Sequence, residues 1–486
     1  MLVALLAAAV VLVAAGPASA GRINVPPKEV ARVTYPGLKR ITFKYGPIAI
    51  KPGQNDIRLR GLPKGIKPPG PGYITRFRPT LIRADGSVPS VDVIHLHHAV
   101  WLINSYPSFA AGEEKTITQM PKGFGYRYQP GDRWLLNDMI HNLETKPESV
   151  YVVWEVDFLP DSSPAAKTMK TVRSQWMDVA GLSVYPVFDA LRSQGKKDRF
   201  TFPKQARGAE RKKIGGAGTW TVPRDLTLVG TAGHLHPGGL FTDMTVTRDG
   251  QTVKLFHSKA KYYGPAGAVT WNVAMTGTSS QWRVKLKQGD VVKISATYDT
   301  SRASWYEVMG IMVIAVYDGT NAGGSDPFAK APPLTGELTH GELLENRDTA
   351  GGAIGMPDPR SMSATKFAGG AISISDFFYG AGDLNKRTKI PTIKPGQPLS
   401  FDNADWGTQG VEHTITACAA PCNRRGGISF PLANAKVEFD SGNLGYGFGL
   451  GAGRTTWATP ANLPDGTYPY FCRIHPFMRG AFKVKG

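Results

Sequence analysis

Tyr470-Phe471-Cys472-Arg473-Ile474-His475-Pro476-Phe477-Met478 sets a thiol, an imidazole and a thioether at intervals of three residues, just after a strand-like run. Soft thiolate and thioether beside imidazole form the donor set that copper selects, with two His and one Cys in a trigonal plane and Met as a weak axial ligand. The loop supplies only one His, so a second has to come from elsewhere. His413 stands in Val411-Glu412-His413-Thr414-Ile415-Thr416, an alternating segment able to lie beside the C-terminal strand of a sandwich. A lone Cys is more often a small buried hydrophobe. Cys, His and Met on one loop, with a His upstream, weigh against that alternative.

On these residues, the stretch from Gly370 to Gly486 resembles the cupredoxins, and its Cys-x-x-His-x-x-Met loop is most similar to amicyanin and related plastocyanin-like domains. Phe401-Asp402-Asn403-Ala404-Asp405 and Phe439-Asp440-Ser441-Gly442 are phrases of the same family. The resemblance implies a Greek-key β-sandwich whose type 1 copper is held by His413, Cys472, His475 and Met478 and serves electron transfer. It further implies that Cys472 binds as thiolate, that His475 is a solvent-edge imidazole through which the electron leaves, and that Met478 tunes the potential. The chain departs from the family in an insertion, Ala417 to Gly427. This insertion carries Cys418 and Cys422, the only other cysteines. An odd count leaves one thiol for a separate task. Cys418 and Cys422 can close a small disulfide within the insertion; a competing reading makes one of them a ligand, although neither has a His at zinc-type spacing.

Export is expected from the opposite end. Leu2 to Ala15 is an unbroken run of apolar and small residues, followed by Ala18-Ser19-Ala20, an A-x-A cleavage signal. The run is too short to span a bilayer as a mature helix, and no later stretch is apolar enough. The expected mature chain starts near Gly21 in a periplasmic or extracellular space, with the leader as cleaved signal or retained weak anchor. The formal charge of +19 is unaccompanied by a dense Lys/Arg run, so nucleic acid is not an expected partner. An acidic redox partner or an acidic cell-surface polymer fits the charge, as does plain solubility.

Its 486 residues exceed what one core holds. Abundant Gly and Pro among Val, Thr, Tyr and Trp favour short strands joined by turns. Turn signals divide the chain into a leader (1–20), an N-terminal arm (21–71), a first sandwich (72–161) and a connector (162–217). A second sandwich (218–318), a Gly/Pro-rich linker (319–369) and the C-terminal copper domain (370–486) follow. The expected fold class is all-β: two tandem jelly-roll-like β-sandwiches and then a Greek-key cupredoxin sandwich. Val184 to Gln194 is the best helical candidate. Trp101, Trp134 and Trp154 read as core aromatics.

The middle of the chain holds a second constellation. Ile94-His95-Leu96-His97-His98-Ala99 puts His95 and His97 on one face of a strand and His98 on the other. His141 follows, then the same-face pair His234-Leu235-His236, then Met309 and Met312. Imidazoles on alternate strand positions can reach one ion, and imidazole suits copper and zinc. In order and type, His97-His98, His141, His234-x-His236 and Met309 resemble the ligands of the copper type II, ascorbate-dependent monooxygenases, and a similar pattern occurs in stress-upregulated nodulin-like proteins. The resemblance implies an electron-relay copper on His97, His98 and His141, and an oxygen-binding copper on His234, His236 and Met309. It departs at Ala232, where the peptide hydroxylase carries an Arg for a substrate carboxylate. His257 and His340 lack partners at ligand spacing.

Two functions remain. One is an exported copper redox enzyme that takes electrons from a partner protein or small reductant and uses O2 on an organic substrate, with the C-terminal domain as a tethered donor. The other is a non-enzymatic electron carrier or copper-binding surface protein with the sandwiches as scaffold. Cys472 is flanked by Phe471 and Arg473 rather than His, which argues against multicopper oxidases and copper nitrite reductases, whose blue copper is wired through flanking histidines. No His-Glu-x-x-His supports a zinc hydrolase.

Overall fold

The computed structural model describes residues 29–486 except 55–56, 92, 182–185, 208–217, 264–267, 269, 302–303, 347–356, 419–437, 447–452 and 476. The leader lies outside the described residues. The protein is all-β, and among the described residues no helix is long and apolar enough to cross a membrane.

Strand Glu148–Pro160 shows why the chain folds in layers. Val150, Val152, Trp154, Val156 and Phe158 point inward and are all at most 1% exposed, as the period of two requires. The strand pairs antiparallel with Lys39–Ile50 on one side and Gly72–Ile82 on the other. A four-stranded sheet faces it, in the order Ile57–Gly61, Trp134–Asn142, Ile94–Ile103, Tyr106–Ala111. Trp101, Trp134 and Trp154 fill the space between the sheets, with Phe77 at 4.8 Å from Trp101 and Trp154 at 5.4 Å. The segment expected as an N-terminal arm thus supplies one strand to each sheet, and Val33 to Tyr35 is not a strand.

The second sandwich is built around Trp305–Tyr317 paired with Leu226–Leu235, and around Gly239–Arg248 between Gln251–Tyr262 and Val291–Asp299. The expected connector contributes Lys170–Asp178, which pairs in parallel with Phe124–Tyr128 of the first sandwich and antiparallel with Trp305–Tyr317 of the second. Hydrogen bonding therefore runs without a break from one sandwich to the next. The helix expected over Val184 to Gln194 is not formed in its described part, from Pro186 on: Val187–Ala190 is a strand on the Trp305–Tyr317 edge, where an open ladder outcompetes a short helix. The stretch expected as a free linker is also partly packed. Asn346 is fully buried and donates to the carbonyls of Glu113 and Trp271, one in each sandwich.

The C-terminal domain stacks two sheets. One runs Ser363–Lys366, Lys389–Ile393, Arg479–Val484, Gly466–Phe471, Thr416–Ala417; the other runs Ala371–Ile374, Ser400–Asn403, Thr456–Ala458. Ile372, Phe401, Tyr470 and Phe482 form its core.

Truncating the central aromatic of the first sandwich, Trp101→Ala, is expected to cost about 3–5 kcal/mol. Denaturant unfolding followed by near-ultraviolet circular dichroism checks this, and a loss below about 1 kcal/mol would contradict the packing.

Candidate metal centres

Cys472 follows the last residue of Gly466–Phe471, and Arg479–Val484 returns beside it, so residues 472–478 form a tight loop. The Cys472 N–H donates to the Met478 carbonyl at 3.2 Å, and the Met478 N–H to the His475 carbonyl at 2.9 Å. His413 sits between the short helix Ala404–Gln409 and strand Thr416–Ala417, which pairs with Gly466–Phe471. This pairing brings His413 over the loop. Its Nδ1 is 3.8 Å from Cys472 Sγ, the Nδ1 of His475 is 3.6 Å from the same sulfur, and the two Nδ1 atoms are 3.2 Å apart. His413, Cys472, His475 and Met478 are all fully buried.

Three features suit this set to a cation. The Thr414 and His475 N–H groups both donate to Sγ at 3.4 Å. Burial works to raise the thiol's pKa, yet hydrogen bonds from His413 and His475 outweigh it and hold Cys472 well below the ordinary thiol range. Behind His413 stands a buried carboxylate, Asp405, with Oδ2 2.8 Å from His413 Nε2. Asp405 is itself fixed by the N–H groups of Asp376 and Phe377, at 2.6 and 3.0 Å. A proton on Nε2 facing this carboxylate leaves the Nδ1 lone pair directed at the sulfur. The sequence reading passed over Asp405; its signal was a carboxylate eight residues before the His.

His475 does not lie at a solvent edge. It is 0% exposed, and the two loop residues before it are pressed into the junction of the two sandwiches. Ile474 packs on Val91, Leu143 and Trp271, and the Arg473 guanidinium lies 4.7 Å over the Tyr306 ring while pairing with Asp440. The imidazole is edged by Phe377 at 4.9 Å, and its Nε2 has no hydrogen-bond partner among the described residues. Cys418 is disulfide-bonded and Cys472 is free; Cys422 lies outside the described residues, as does Pro476.

The histidines of the sandwiches converge on the same junction but sort differently from the family pattern. A β-bulge between Leu96 and His98 interrupts pairing with Trp134–Asn142. His95, His97 and His141 line a cavity of about 120 Å³ together with His236, Trp271 and Glu307, and the cavity's far wall is Asn443, Arg473 and Ile474. His98, His234 and Met309 line a second cavity, of about 350 Å³, with Glu114. His97 and His98 still touch, Nδ1 to Nδ1 at 3.3 Å, and the His234 and His236 rings are 5.3 Å apart. Each expected three-residue set is thus split between two neighbouring cavities. Met312 faces the apolar core instead. Among the described residues, only His413, Cys472 and His475 form a set of three or more His, Cys, Asp or Glu whose ligand atoms all lie within 4.8 Å of one another.

Sequence reading also missed Gly112-Glu113-Glu114-Lys115. Glu114 bonds His234 Nδ1 at 2.9 Å, and Gly112 leaves the room, since a Cβ there would lie 2.6 Å from His234 Cε1. Glu113 stands 3.8 Å from His95 Nδ1, accepts the Leu96 N–H, and is driven by burial up to about 7 despite Lys115 at 3.3 Å. Glu307 lines the smaller cavity from a backbone at φ +55°. His257 pairs with Asp243, and His340 with the Gly341 carbonyl.

No family model matches the chain and no curated protein matches its sequence. Among solved structures, the copper-containing nitrite reductase from Thermus scotoductus SA-01 aligns at 13% identity over 54% of this chain and 58% of its own, less than two thirds, with a TM-score of 0.17. The major capsid protein P2 of bacteriophage PM2 aligns at 8% identity over 59% of this chain and 100% of its own, with a TM-score of 0.25. A PBCV-1 virus capsid chain gives 7%, 61%, 99% and 0.24. Similarities this low carry no argument about the site, which rests on its own geometry.

Removing the carboxylate behind the first imidazole, Asp405→Ala, is expected to weaken metal retention about 10–100-fold. Competition titration against a chelator measures it; unchanged affinity would take Asp405 out of that role.

Proposed function

We propose that this is an exported copper protein whose C-terminal domain holds a type 1 copper for electron transfer, joined to sandwiches that house a further copper and host an oxidation using O2 on an organic substrate. The observation that carries the first part is the convergence of two imidazole Nδ1 atoms on one buried thiolate, within 3.2–3.8 Å, beside a buried thioether. Soft sulfur with imidazole favours copper over the hard cations.

When bound, copper supplies a one-electron couple. The chain's own residues do the rest. Cys472, His413 and His475 supply the strong donors, and Met478 the weak one. The Thr414 and His475 N–H groups temper the charge on sulfur, Asp405 keeps His413 in the tautomer that presents Nδ1, and complete burial keeps water away. Because Arg473 and Ile474, beside His475, pack on the sandwiches, an electron leaving along the loop would pass toward the protein's own histidines. The larger cavity, with His98, His234 and Met309 on its wall, has the size of a small organic substrate.

A second reading, an electron carrier with the sandwiches as scaffold, is favoured by one observation: among the described residues, no set in the sandwiches has its ligand atoms gathered as tightly as the C-terminal one. Export rests on the apolar run and Ala18-Ser19-Ala20 cleavage signal.

Cys472→Ala is expected to abolish an intense visible charge-transfer band while the fold is kept, and Met478→Gln to keep copper but lower its potential in a redox titration. A blue Cys472→Ala protein would sink the assignment. N-terminal sequencing of protein recovered outside the cytoplasm should begin near Gly21; an intact Met1 on all of it argues against a cleaved leader.

A further inference from the structure

We infer that His95, His97, His141 and His236 together form a second metal site, for a late first-row divalent cation, at the point where the three sandwiches meet. Three of the rings come from the first sandwich and one from the second, so the site exists only in the assembled fold.

Spacing is the first support. The His413 and His475 rings, whose nitrogens already converge, have centroids 4.9 Å apart. In the quartet the separations are 4.5 Å for His97 to His236, 5.0 Å for His97 to His141, 5.1 Å for His95 to His141 and 6.0 Å for His95 to His97. The rings therefore stand at ligand spacing around a cavity of about 120 Å³, and their nitrogens need only turn about the Cβ–Cγ bonds, a soft torsion for an imidazole.

Unmet hydrogen bonding is the second. His95 Nδ1, His141 Nε2 and His236 Nε2 are all buried with no hydrogen-bond partner among the described residues. A buried polar atom left without a partner is destabilising, and three around one cavity have a common remedy in a cation that accepts their lone pairs. A nitrogen-only set suits copper or zinc and excludes calcium and magnesium, which take oxygen.

The surroundings point the same way. Glu113, 3.8 Å from His95 Nδ1, and Glu307 on the cavity wall place carboxylates beside the rings. Ile474, the residue before His475, lies on the cavity wall. Metal binding by the quartet stands apart from the C-terminal assignment; its service as redox partner to that centre rests on the function proposed above.

Full-length protein is loaded with Cu(II), and in a parallel arm with Zn(II), freed of loose metal on a chelating resin, and counted by mass spectrometry and electron paramagnetic resonance. The expected result is two coppers per chain, one blue and one colourless. Cys472→Ala should keep the colourless copper with nitrogen hyperfine structure. His141→Gln and His236→Gln should keep only the blue one, whose band also reports that the fold survives. Colourless copper retained in both His variants overturns the site. So does its loss in Met309→Ile, which would place it in the larger cavity, or a signal without nitrogen coupling in Cys472→Ala, an arm that needs no change to the quartet. If Cys472→Ala leaves the colour unchanged, the C-terminal assignment fails while the quartet is still tested by its own variants.

Discussion

Residues Arg473 and Ile474 hold the molecule in its working arrangement. Ile474 is wedged between Val91 and Leu143 of the first sandwich and Trp271 of the second, while Arg473 spans Asp440 of its own domain and Tyr306 of the second. Two side chains lying between a thiolate and an imidazole of one site thereby help to dock the C-terminal domain, together with Phe377 and Val411, which pack over Gly53. Apolar burial fixes position without direction; the guanidinium, with its planar donors, adds direction. The consequence is that the two residues between Cys472 and His475 are held by the sandwiches, while the His475 ring itself is enclosed by His413, Phe377 and Phe477 of its own domain.

How much of this was legible in the sequence depends on distance along the chain. Cys472, His475 and Met478 were readable because one seven-residue loop carries them, and His413 because its alternating segment had to lie beside the same strand. Trp101, Trp134 and Trp154 declared themselves as core by their place in alternating runs. Asp405 escaped because its role depends on a helix of six residues turning the carboxylate back onto His413. The parity of His95 and His97 against His98 was right, and they do line different cavities. What could not be read is that the two sandwiches meet edge to edge through Lys170–Asp178, which places His236 nearer to His97 than to any partner on its own domain's far side. Register between domains leaves no periodic mark.

The buried acidic and basic residues at the junction belong to the same account. Glu113, Glu114 and Lys115 are each at most 5% exposed. Burying such charges is costly unless they are paired and hydrogen-bonded. Lys115 meets Glu113 and Glu345, Glu114 meets His234, and Asn346 ties the segment to both sandwiches. An apolar set of the same volume would stabilise the interface as well. A charged one also keeps carboxylates within reach of His95 and His234, on the two sides of the histidine layer.

That layer explains the otherwise odd flanks of Cys472. Where a second centre is reached through the chain itself, the residues beside the thiolate must be ligands. Here they are Phe471, sealed in the core, and Arg473, committed to docking. From the loop, Arg473 reaches Tyr306 and Ile474 reaches Val91, Leu143 and Trp271, and Ile474, next to His475, lies on the wall of the cavity that His141 also lines. What joins the C-terminal loop to the histidine layer is therefore a packed domain interface through Ile474. Any communication between the domains would have to cross that interface, and not the chain on either side of Cys472.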